Sequence, residues 1–151
     1  MGSSQYFITI GALLAGLAVA AGAFGAHGLD QYFATKYAQA EMKTVAGVVI
    51  PASRKYLEDF KTGVTYQMWH ALALLAVGLV AHWRSSAALT VAGWSFILGI
   101  VLFSGALYVL TIGGPRWLGV PWGMIAPLGG TAFLVGWLAF AIGACPCFAK
   151  P

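Results

Sequence analysis

Four stretches of this chain carry no Asp, Glu, Lys or Arg: Tyr6–Ala26, Val64–Trp83, Ala87–Ile112 and Pro121–Ala144. A helix needs about 20 predominantly apolar residues to cross roughly 30 Å of hydrocarbon, and each stretch is long enough. Inside a bilayer the backbone must satisfy its own hydrogen bonds, and runs of this length do so as helices. The expectation is an all-α polytopic membrane protein: a bundle of four transmembrane helices, with amphipathic helical segments between spans one and two.

Composition excludes the main alternatives. Only 8% of the 151 residues are charged and 60% are hydrophobic, whereas soluble domains carry about 25% charged residues. Four spans fill most of the chain, so residues 1–151 are read as a single membrane domain. The net charge of +4 is scattered, which argues against a nucleic-acid partner and suits contact with anionic lipid.

Span one has the small-residue run Ala18-Val19-Ala20, like a signal-peptide cleavage site. It lacks a basic n-region and is long for an h-region, so it reads as a permanent span. Residues 29–63 connect spans one and two and hold five of the eight basic residues and all four acids. Arg84-Ser85-Ser86 and Gly113-Gly114-Pro115-Arg116 make the other two turns. Such short loops set neighbouring helices side by side and antiparallel. No internal repeat is visible.

The connection has helical periodicity of its own. Asp30 could cap a helix starting at Gln31, with Phe33, Tyr37 and Ala40 on one apolar stripe. A second piece runs from about Ser53 into span two. It sets Arg54 four residues before Glu58 and Lys55 four before Asp59, with Tyr56, Phe60 and Val64 as its apolar stripe. Two short helices lying on the membrane surface are expected, capping the bundle rather than docking a partner. Val45–Pro51 between them is apolar and ends at a proline.

Lipid supplies no hydrophobic force between helices, so close contact through small residues must hold them together. Span one has the pairs Gly11/Ala15, Ala12/Gly16 and Gly22/Ala26, and span three has Ser95/Gly99. Gly129, Gly136 and Gly143 recur every seven residues in span four. Gly22, Gly25, Gly28, Gly105, Gly129, Gly130 and Gly136 are the expected helix-packing glycines. These faces are assigned to packing within the bundle ahead of a homo-oligomer.

Polar residues at membrane depth are candidates for function. His27 closes span one, and His70 lies about two turns into span two. His82 comes twelve residues later, roughly 18 Å along a helix, at the opposite face. His27 and His70 could be axial ligands of a haem b, or form a relay with Tyr66 and Gln67. The structural reading ranks above both, because histidine near the interface is cheap and two histidines alone specify no cofactor. The expected arrangement is a hydrogen-bonded cluster of His27, Tyr66, Gln67 and His70, with no cofactor.

The tail holds Cys145-Pro146-Cys147. Two thiols can bind a soft metal, but a structural zinc needs four ligands and a two-residue disulfide would be strained. No metal site is assigned to Cys145 and Cys147. No nucleophile elbow, phosphate loop or HExxH is present, and the spans hold no carboxylate for acid–base chemistry. Pro121, Pro127 and Gly129-Gly130 mark a kinked entry to span four. A small polar pocket with Ser104, Tyr108 and Thr131 is the alternative there.

Four ordered motifs carry a resemblance. Gly22-Ala23-Phe24-Gly25-Ala26-His27-Gly28 resembles the hallmark of the domain of unknown function 423 family, which includes the animal transmembrane protein 256 and UPF0382-type small membrane proteins. Tyr66–Leu75, Leu102–Tyr108 and Pro127–Trp137 resemble its second-, third- and fourth-span motifs. The resemblance covers all four spans and implies a four-helix membrane protein of uncharacterised function, with no reaction, ligand or cofactor to carry over. The chain departs from the family pattern in its long first connection, its paired cysteines and the lack of a basic tail.

The positive-inside rule puts the long connection in the cytoplasm, although its four acids and the basic tails of family members point the other way. The expected location is a bacterial cytoplasmic membrane. Two functional classes follow: a non-enzymatic accessory or scaffold subunit packed against a larger membrane complex, ranked first, and a small transporter, channel or haem carrier centred on His27 and His70.

Overall fold

A computed structural model describes residues 3–145 of the chain. Among the described residues, four helices are long and apolar enough to cross a membrane: Ser4–Ala26, Ala52–Trp83, Ala87–Gly113 and Trp122–Ala144. The chain is an all-α integral membrane protein, as the charge-free stretches imply. Its elements are α1 (Ser3–His27), α2 (Leu29–Lys36), β1 (Lys43–Val45), β2 (Val48–Ile50), α3 (Ala52–Trp83), α4 (Ala87–Gly99), α5 (Ala106–Gly113) and α6 (Ala126–Ala144). A π-helical turn, Ile100–Gly105, joins α4 to α5 within span three.

Missing Cβ atoms set the packing. α1 runs antiparallel to α3, with Gly11 against Ala71 and Leu75, Gly25 against Phe60, and Gly78 of α3 against Ile8. A Cβ on Gly78 would lie 2.6 Å from the Ile8 side chain. α6 runs antiparallel to span three. Gly143 receives Leu89 and Gly136 receives the Phe96 ring, where a Cβ would come within 2.6 Å. Gly129 abuts the Leu102–Phe103 backbone. The seven-residue glycine spacing of span four is therefore one continuous seam. Of the other expected packing glycines, Gly130 meets nothing within 4 Å, Gly105 only the Ile100 carbonyl at 4.0 Å, and Gly28 lies at the junction between α1 and α2. The side of α6 toward span three follows the seven-residue series, and Gly130 is one step off it.

Residues 52–83 form one unbroken helix. At 1.5 Å per residue it is roughly 48 Å long, well beyond the hydrocarbon. Its first turns therefore continue the axis of span two, and the expectation of a separate surface helix from Ser53 is corrected. Nothing breaks the helix: Pro51 sits ahead of it as the N-cap, and Gly63 inside it receives Tyr108. The expected i,i+4 pairs form, Arg54 to Glu58 at 3.2 Å and Lys55 to Asp59. Tyr56 and Phe60 are buried.

The apolar stretch before Pro51 is not helical. It supplies β2 of a two-stranded antiparallel hairpin with Lys43 opposite Ile50. Ala46 and Gly47 turn it with φ of 49° and 82°. Both central residues in the left-handed region are what a two-residue hairpin turn requires. α2 starts at Leu29, with Gly28 rather than Asp30 at its N-cap. Its Phe33 is 1% exposed and packs with Leu57 and Phe60. Tyr37 donates to the Thr111 carbonyl at 2.7 Å, and Lys36 donates to that of Ile112. α2 is thus pinned to the end of α5. At the entry to span four, a short 3-10 turn (Trp122–Met124) precedes α6, and Pro127 occupies its first turn, where its missing N–H is no loss.

Candidate functional site

The polar interior of the spans is built around two residues of α3, one turn apart. Gln67 and His70 are each 5% exposed. Buried polar groups in lipid are expensive unless bonded, and both side chains find partners on other helices.

The Gln67 amide nitrogen donates to the Leu14 carbonyl of α1 at 2.9 Å, and its oxygen accepts from the Tyr108 hydroxyl of α5 at 2.9 Å. One side chain therefore ties three helices together. Tyr108 also packs its ring on Phe60, 5.0 Å between centroids.

His70 Nδ1 lies 2.7 Å from the Tyr66 carbonyl, one turn back. A carbonyl can only accept, so Nδ1 carries the proton and Nε2 has the lone pair. Nε2 accepts from the indole N–H of Trp137 on α6 at 3.2 Å. The imidazole stacks on Phe133, 3.4 Å between centroids with planes 10° apart. Tyr66 stacks 5.8 Å away on the same ring system, and Phe96 lies 5.7 Å off. Both nitrogens of a neutral imidazole are thus engaged inside an aromatic cage.

Of the expected hydrogen-bonded cluster, Tyr66 and Gln67 share one turn of α3 and His70 lies on the next, but their bonds run elsewhere: Gln67 to Leu14 and Tyr108, and His70 to the Tyr66 carbonyl and Trp137. The pairing of Gly25 with Phe60 places the His27 backbone near the start of α3. Phe60 precedes His70 by ten residues, roughly 15 Å along the helix. The side chain of His27 lies outside the described residues. His82 is exposed near the other end of α3, edge-on to Trp83 at 5.5 Å. Cys145 follows α6, and Cys147 lies outside the described residues. Among the described residues, no group of three or more His, Cys, Asp or Glu is placed to hold a metal.

Of the alternative polar pocket at the entry to span four, Thr131 is exposed and donates to the Pro127 carbonyl at 3.1 Å. Ser104 is fully buried in the π-helical turn, and its hydroxyl has no bonding partner among the described residues. Sequence reasoning paired neither Trp137 with His70 nor Tyr108 with Gln67. The only available signal was the presence of hydrogen-bonding aromatics in spans three and four.

Three open hollows lie near the α2 end. Two, of about 360 and 380 Å³, share Tyr108 and Ile112. The third, of about 330 Å³, lies between α1 and α3 beside Lys61. His70 lines none of these three.

The family described as "Protein of unknown function (DUF423)" matches residues 21–130. The chain belongs to this family. The DUF423 match takes in the end of α1, all of α2 to α5 and the start of α6, and so both Gln67 and His70. The chain is 41% identical to UPF0382 membrane protein YwdK of Bacillus subtilis over 93% of its length and 96% of the relative's. It is 40% identical to UPF0382 membrane protein SSP2132 of Staphylococcus saprophyticus over 92% of its length and 96% of the relative's. A UPF0382 membrane protein of Haemophilus influenzae is 36% identical over 91% of both chains. These DUF423 relatives are bacterial, consistent with a bacterial cytoplasmic membrane as the location. No solved structure matches the chain.

Proposed function

We propose that this chain is a non-enzymatic accessory or scaffold subunit that packs against a larger membrane complex. The observation that carries this reading is the outer face of α1. Within the chain α1 leans on α3 and touches α2, and Phe7 reaches across to Gly93 of α4. Ala12 and Gly16, expected to pack within the bundle, are instead exposed together with Ala20 at four-residue spacing, and Gly16 meets nothing within 4 Å. In lipid such a stripe lets a second helix come close enough for backbone contact. The interior supports the same reading, because the polar groups of Gln67 and His70 are occupied in joining helices. Haem ligation by His70 would first require Nε2 to leave Trp137.

Parallel gentle purification of the wild-type and Gly16→Leu chains tests this. The expected result is one stoichiometric integral membrane partner with the wild type, lost with Gly16→Leu while the chain itself stays folded. A wild-type chain that runs alone, or an unchanged partner with Gly16→Leu, would overturn the reading. An absorption spectrum with a Soret band that disappears in His70→Ala would replace it with the haem alternative.

A further inference from the structure

We propose that the two hollows sharing Tyr108 and Ile112 hold the acyl chains of one anionic diacyl phospholipid, with its phosphate on Lys36. α1 and α5 both pack on α3, and a cleft opens between them. The first hollow, about 360 Å³, runs from Phe24 of α1 to Ile112 of α5 over a floor that includes Phe60. The second, about 380 Å³, lies between Val109 and Trp117. Tyr108 and Ile112 line both hollows, so the two tails of one diacyl lipid would meet at that pair.

The charge at the rim selects the headgroup. The Lys36 ammonium donates to the carbonyl of Ile112, the residue shared by both hollows. It donates again to the Tyr32 hydroxyl at 3.2 Å and lies 5.4 Å from the centre of that ring. These contacts hold the ammonium beside Ile112 through neutral groups only. No carboxylate pairs with it among the described residues, where the ion pairs are Arg54–Glu58 and Lys55–Asp59. An ammonium has three donors, so one remains for a phosphate oxygen. Arg116, exposed and unpaired among the described residues, directly precedes Trp117, which lines the second hollow. Trp117 is 47% exposed there, suited to the headgroup level where tryptophans gather.

The test is native mass spectrometry of the full chain in mild detergent with equal dioleoylphosphatidylglycerol and dioleoylphosphatidylcholine. One basic side chain at a bilayer surface discriminates by about fivefold, so about that preference for phosphatidylglycerol is expected. Lys36→Gln should remove the preference and Lys36→Arg should keep it. Val109→Trp, which fills the second hollow and leaves Lys36 in place, should lower retention of both lipids about threefold or more. Millimolar inorganic phosphate should leave the bound lipid in place. Equal retention of the two lipids by the wild type would overturn the proposal, as would undiminished retention in Val109→Trp or displacement by phosphate alone. Val109→Trp keeps the question decidable if Lys36→Gln does not fold.

Discussion

Trp137 and His70 meet across the α3–α6 interface, with the indole N–H 3.2 Å from imidazole Nε2. The imidazole is 5% exposed whereas Trp137 is 46% exposed. The indole therefore lies at the edge of the bundle with its polar atom turned inward. Replacing it with Phe keeps most of the ring and removes only the donor. Hydrogen bonds between membrane helices contribute about 0.6 kcal/mol on average. Trp137→Phe should destabilise the bundle by about 0.5–1 kcal/mol in a reversible unfolding assay in bicelles. His70→Ala should cost more, about 2–4 kcal/mol, because it also empties the stack against Phe133.

Gln67 ties α1 and α5 to α3, so Gln67→Leu loses two bonds and leaves the Tyr108 hydroxyl unsatisfied. A loss of about 1–3 kcal/mol is expected. The double substitution Gln67→Leu/Tyr108→Phe should recover part of it. A double-mutant cycle with no coupling would show that the 2.9 Å contact contributes nothing.

The glycines of α6 separate cleanly. A Cβ on Gly129 would collide with the Leu102–Phe103 backbone, which cannot swing aside, whereas Gly130 faces open space. Gly129→Ala should destabilise by about 1–3 kcal/mol, and Gly130→Ala should change stability by less than about 0.5 kcal/mol. The same unfolding assay measures both.

Tyr37 should titrate late. Burial, followed by its neighbours Tyr56 and Tyr32, raises its hydroxyl from 10.0 to about 12. The protonated form is the one that donates to Thr111. For an acid whose folded value is raised, the contribution is complete below the unfolded value. It declines as pH rises from about 10 through about 12. The difference in tyrosinate absorbance between wild type and Tyr37→Phe should therefore have its midpoint near 12. A midpoint near 10 would mean that α2 is not docked on α5.

The spans were legible because bilayer thickness imposes a length and forbids charge, and both are visible in a bare sequence. The seam of Gly129, Gly136 and Gly143 was legible for a similar reason, since seven residues nearly complete two helical turns. The hairpin was not, because strands as short as Lys43–Val45 and Val48–Ile50 leave too few residues for an alternating pattern. The π-helical turn was invisible within a uniformly apolar run. The interior bonds depend on distance in sequence: Gln67 and Tyr108 are separated by 41 positions and His70 and Trp137 by 67. Periodicity within one helix carries no information about such partners. The i,i+4 pairs of α3, by contrast, depend only on local spacing and form as read.

Each helical residue turns the chain by about 100°, so the wide turn at Ile100–Gly105 works as a phase adjuster. It sets the angular heading of Tyr108 and Thr111 independently of Leu89 and Phe96. Deleting one residue there would swing Tyr108 away from Gln67 and the Thr111 carbonyl away from Tyr37, while the contact of Gly143 with Leu89 stayed in register. The two halves of span three are thus clocked separately, the first by α6 and the second by α2 and Gln67.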